Sequence, residues 1–68
     1  MKLKITDHAK IRMNKYEIFR KMVKDGMENP DSILEEYSGR KIAQKRINRH
    51  VLRIIFEKKK NACGIVTL

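Results

Sequence analysis

Cysteine, proline and glycine are scarce in this chain: Cys63 and Pro30 stand alone, and 68 residues hold three glycines and no tryptophan. One cysteine excludes an intramolecular disulfide framework, which makes a reducing cytoplasm the simplest expectation. Three scattered glycines leave no Gly-rich phosphate loop, and no Ser-His-Asp set accompanies them. His8, His50 and Cys63 lack the spacing of a zinc site, and no carboxylates pair in a metal pattern. Any chemistry here is therefore expected to need neither metal nor cofactor. Long apolar runs are missing too. Lys2 and Lys4 arrive too soon for a signal peptide, and nothing approaches the roughly 20 apolar residues of a membrane span. A soluble intracellular domain without membrane contact is the expectation.

Negative charge is the next scarcity, with 8 Asp/Glu against 17 Lys/Arg and a net charge of +9. Residues 1–39 carry eight basic and seven acidic side chains, a balance of +1. Residues 40–60 carry nine basic side chains against Glu57, a balance of +8, and residues 61–68 carry none. A solubility device has no reason to sit in one third of the chain, whereas a concentrated field attracts polyanions and speeds encounter. The bland alternative is a solvated lysine surface. At this length one domain spanning 1–68 is expected, burying only about 60% of its unfolded-chain surface, so self-association as a homodimer is compatible with so lean a core.

Periodicity outlines the elements. Leu3 to Thr6 alternates like a short half-buried strand, and Thr6 or Asp7 can cap a helix reaching about Lys15. A second helical pattern spans Glu17 to Glu28, where Ile18/Met22 and Phe19/Val23/Met27 form adjacent apolar rows. Asn14 and Glu17 could cap it, or the two helices could be one bent helix. Asn29-Pro30-Asp31 ends the helical part. Strands follow: Ser32 to Tyr37, a turn at Ser38-Gly39, Arg40 to Ile47, a tight turn at Asn48-Arg49, His50 to Phe56, and Ala62 to Leu68. The run from His50 to Phe56 is apolar on both faces, which predicts a central strand. The order β-α-α-β-β-β-β predicts an α+β fold, two N-terminal helices on a mainly antiparallel sheet of four to five strands.

Four groups of residues are candidates for chemistry. His8 and Arg12 lie one turn apart on the first helix. An imidazole can move a proton near neutral pH, and a guanidinium can hold phosphate oxygens with two hydrogen bonds. A surface histidine beside a solvated arginine is the competing reading. Arg53 interrupts the apolar strand on the side of Val51 and Ile55, where it needs either an anion or a carboxylate such as Glu57, Glu35 or Glu36. Arg40, Ile42, Gln44 and Arg46 share one face of their strand, Lys41, Ala43, Lys45 and Ile47 the other, so both faces are basic. Arg49 adds a charge in the following turn. Tyr16 and Tyr37 could stack on bases or fill rim and core positions.

Thr6-x-His8-Ala9-x-x-Arg12-Met13, followed by Ile18, Val23 and Asn29-Pro30-Asp31, resembles a family of short bacterial and archaeal proteins of unknown function that open with a His-Ala-x-x-Arg-Met helix. Gly39-Arg40, Lys45, Leu52-Arg53 and Val66-Thr67 fall where that family tends to have Gly-Arg, Lys, Arg-Val and Val-Thr. The family is regarded as similar in fold to the RelE-type toxins and the barnase–EndoU–colicin group of metal-independent ribonucleases. One departure stands out: the family usually has Arg-Gly before Ile18, where this chain has Tyr16-Glu17.

The resemblance implies an RNA-cleaving or translation-inhibiting role. The ribose 2′-OH would attack the adjacent phosphorus and expel the 5′ oxygen, leaving a 2′,3′-cyclic phosphate. His8 would transfer a proton, and Arg12 and Arg53 would stabilise the charged phosphorane. Arg40, Lys45, Arg46 and Arg49 would hold the backbone, with Thr67 donating a further hydrogen bond. RNA or the ribosome is the expected partner, with an acidic antitoxin as another. Two alternatives stay open. One is a non-catalytic module binding nucleic acid, ribosome or an acidic protein; the other is a toxin fold that has become an inactive regulator.

Overall fold

The computed structural model describes residues 2–36 and 39–68. In chain order these are β1 (Lys2–Ile5), α1 (Asp7–Lys15), α2 (Arg20–Glu28), β2 (Ser32–Glu35), β3 (Arg40–Ile47), β4 (His50–Lys59) and β5 (Ala62–Thr67). The five strands form one sheet in the order β1-β5-β4-β3-β2. All neighbours are antiparallel except the outermost pair, β1 with β5. β4 lies at the centre, as its two-sided apolar character predicts. The expected far end of β2 at Tyr37, and Ser38 of the expected turn, lie outside the described residues.

Thr6 fixes how the chain leaves the sheet. Its Oγ1 accepts the Ala9 backbone N–H at 3.2 Å, which caps α1. The same hydroxyl sits 2.9 Å from the carbonyl oxygens of both Ile65 and Val66. Having one proton, it donates to one of them or shares between the two. The Ile65 carbonyl also accepts the Thr6 backbone N–H at 3.2 Å, and β5 is bulged there: Phe56 faces Ile65 and Ile55 faces Thr67, leaving Val66 as an extra residue. Asp7 in the first turn and Arg12 and Lys15 in the last suit the α1 dipole.

α2 has no such help. Arg20 and Lys21 crowd its positive end, and Phe19 at the N-cap offers only its N–H, 3.4 Å from the weak acceptor Met22 Sδ. Burial holds this helix instead, through Val23, Gly26 and Met27. It begins at Arg20, three residues after the expected Glu17, because Glu17 itself adopts the left-handed conformation with φ 54°. A helix cannot run through such a residue, so there are two helices, and the Asn14–Glu17 capping pair does not form. The turn is closed by Ile18 N–H donating to the Met13 carbonyl at 2.8 Å.

The helices cover one face of the sheet. Ala9, Val23 and Met27 meet Ala43, Leu52, Ile54, Phe56, Cys63 and Ile65 in a single core. Ile54 and Ile65 are wholly buried, each worth about 1.5–3 kcal/mol of transfer free energy. Gly26 permits the close approach of α2: a Cβ there would come within 2.8 Å of Ile54 Cδ1.

Candidate nucleic-acid interface

Strand register decides which basic residues share a surface. Arg40, Ile42, Gln44 and Arg46 of β3 stand opposite Glu57, Ile55, Arg53 and Val51 of β4. The alternate residues Leu52, Ile54 and Phe56 are in the core, so the paired residues from Arg40/Glu57 to Arg46/Val51 lie on the face without helices. Arg53 is exposed there and needs no buried partner. Glu57, the carboxylate expected to serve it, is taken by Arg40 at 3.0 Å. Arg40 is thereby partly neutralised. Arg46 and Arg53 are diagonal neighbours across the ladder and have no carboxylate partner among the described residues. Arg49 follows in the turn that Asn48 closes by taking φ 55°.

Lys45 belongs elsewhere. It shares the covered side with Ala43, half-buried, with its Nζ 3.9 Å from Asp31 Oδ1. The alternation that puts Arg46 on the open face puts Lys45 beside α2, so it does not join the other expected phosphate contacts. Asp31 also accepts the Arg46 backbone N–H at 2.7 Å, which ties the start of β2 to the end of β3.

A cleft of about 680 Å³ opens at this end of the sheet. It exists because β5 pairs with β4 only from Ile55 to Lys59. Residues His50 to Ile54 thus have β3 on one side and no strand on the other. The space is walled instead by the turn between the helices and by Leu68. Its apolar floor is Ile18, Met22, Ile47 and Leu52; its exposed rim is Tyr16, Asn48, His50, Val51 and Arg53, polar apart from Val51. Tyr16 is 54% exposed, with the Arg12 guanidinium 5.7 Å and the Lys15 ammonium 5.4 Å from its ring centroid. Arg12 Nε is buried without a hydrogen-bond partner, as is the hydroxyl of Thr67 next to Leu68. A second depression, lined by Met13, Asn14, Glu17, Ile18 and Phe19, carries an acidic group and no basic one.

The expected catalytic set is only partly assembled. Arg53 lines the cleft, and Arg12 adjoins it through Tyr16. His8 does not line it: it is exposed in the first turn of α1, eight residues and about 12 Å of helix rise from Tyr16. Thr67 is half-buried at the bulge and is no part of the cleft lining. His50 is what the sequence reading missed as a site residue. Three segments distant in sequence make this cleft, and no local spacing announces their meeting. Among the described residues no group of three or more His, Cys, Asp or Glu is placed to hold a metal ion, and no helix is long and apolar enough to cross a membrane.

The fold and this cleft define a small basic α+β domain with cations gathered about one hairpin. The chain belongs to the family described as a domain of unknown function (DUF4258), which it matches over residues 5–68. No curated protein and no solved structure matches it.

Proposed function

We propose that this protein binds RNA through the open face of β3 and β4 and the turn between them. The observation that carries this reading is that Arg46, Arg49 and Arg53, grouped at one end of the sheet, have no carboxylate partner among the described residues. Uncompensated arginines on a face without helices attract phosphates and give them bidentate partners. The resemblance to RelE-type toxins and metal-independent ribonucleases favours RNA over other polyanions, with the ribosome as one place to meet it.

Cleavage is the second reading, favoured by the unpartnered Arg12 guanidinium nitrogen beside the cleft. It needs a proton acceptor and a proton donor near one phosphate, and His8 does not reach the cleft that Arg53 lines. Binding is therefore the reading that the geometry supports better.

The test is retention of a labelled single-stranded RNA in EDTA at increasing salt. The logarithm of affinity should fall with that of salt, with a slope of about 0.7 per phosphate contact. Removing Arg46, Arg49 and Arg53 together should lower the slope by about two. Salt-insensitive binding, or none, overturns the proposal. Strand ends from the same samples read cleavage: cyclic phosphates lost in His8→Ala would restore His8 to a catalytic role, and an unchanged rate would remove it.

A further inference from the structure

We infer that the sheet-end cleft seats one unpaired nucleotide of the bound strand, its base against Tyr16 and its phosphate at Arg53. The inference rests on the RNA reading and deepens it. Cleft size is the first support: about 680 Å³ falls within the roughly 300–1,000 Å³ of pockets that take small ligands. Chemistry is the second. The floor of Ile18, Met22, Ile47 and Leu52 is apolar, while the rim carries Arg53 and His50. A bare phosphate would gain nothing from such a floor, and an apolar peptide would gain nothing from such a rim. A nucleotide has a flat, weakly hydrated base and an anion on one side, which matches both.

The ring of Tyr16 supplies the stacking surface, since every base has a π-face and stacking tolerates any sequence. Arg12 and Lys15 lean on that ring at 5.7 and 5.4 Å, and neither is engaged by a carboxylate among the described residues. Both stay available to the phosphates flanking a stacked base. The amide of Asn48 and the imidazole of His50, on the opposite rim, can hydrogen-bond the base edge. A base held in a duplex cannot enter, because its faces are covered by its neighbours. The cleft is thus specific for single strands.

The experiment compares three ligands of equal charge on the full chain: a single-stranded RNA, the same strand with abasic residues, and an oligoglutamate. The base-bearing strand should bind about tenfold tighter than the abasic one. Tyr16→Ala should remove that advantage and Tyr16→Phe should keep it. Because Tyr16 is more than half exposed, both variants should fold, and their far-ultraviolet circular dichroism verifies it. Arg46→Ala should weaken both strands alike and leave their ratio unchanged. Equal binding of the two strands would overturn the cleft assignment while leaving RNA binding intact. Tighter, Tyr16-dependent binding of oligoglutamate would give the cleft to a protein partner and overturn it too. If neither strand binds, both readings fall together.

Discussion

β3 and β4 are built from the same alternating strands on both sides of the sheet, yet their two faces have opposite fates. On the helix side Leu52, Ile54 and Phe56 are buried against α1 and α2. On the other side Val51 is 55% exposed, and Arg46 and Arg53 stand in solvent. The difference does not come from strand propensity, since Val51 and Ile55 are as good strand formers as Ile54. It comes from which residues the two helices can reach. One face is fixed by packing, and the other is left to charge.

The largest effect that separates the faces should come from truncation on each. Ile54→Ala should cost about 2–5 kcal/mol, and Val51→Ala less than about 1 kcal/mol, measured by urea unfolding. A domain of this size has only about 3–10 kcal/mol in total, so Ile54→Ala can leave it unfolded, which circular dichroism would register. Should Val51→Ala cost as much as Ile54→Ala, the open face is covered in solution. A midpoint that rises with protein concentration would then identify the cover as a second copy of the chain.

Gly26 sharpens the comparison on the packed side. Alanine there gains about 1 kcal/mol in helix propensity, but its Cβ would meet Ile54 Cδ1 at 2.8 Å. Ile54 is wholly buried and has little room to turn aside, and overpacking costs about 1–3 kcal/mol. Gly26→Ala should therefore lose about 1 kcal/mol net. Ile54→Val deletes the offending methyl, so in that background Gly26→Ala should stabilise instead. A double-mutant cycle with no coupling would mean that α2 sits further from the sheet.

What could be read from the sequence divides along the same line. Arg40 to Ile47 was legible as a strand to the residue because turn signals at Ser38-Gly39 and Asn48-Arg49 bound it, although both of its faces are basic. The side of the sheet that Arg53 shares with Val51 and Ile55 was legible from the period of two along a strand. The partner of Glu57 was not, since choosing Arg40 over Arg53 depends on the β3–β4 register. Nor was the parallel pairing of β1 with β5, which joins opposite ends of the chain. His50 and Tyr16 could not be read as neighbours across a cleft, because the gap between them is made by where β5 stops pairing.

The smallest effect concerns the turn that carries Tyr16 to the cleft. Glu17 and Asn48 occupy nearly the same left-handed conformation, with φ 54° and 55°. That conformation costs an ordinary L residue about 1–2 kcal/mol, and asparagine less, because its short side chain tolerates it. Glycine removes the steric cost but adds backbone freedom to the unfolded chain, worth about 0.5–1 kcal/mol. Glu17→Gly should therefore stabilise by about 0.5–1 kcal/mol, whereas Asn48→Gly should change stability by less than about 0.5 kcal/mol. Paired urea midpoints read the difference. If Glu17→Gly destabilises instead, residue 17 does not hold the left-handed conformation in solution. The turn would then aim Tyr16 elsewhere, and the cleft at the open end of the sheet would lose the phenol ring from its rim.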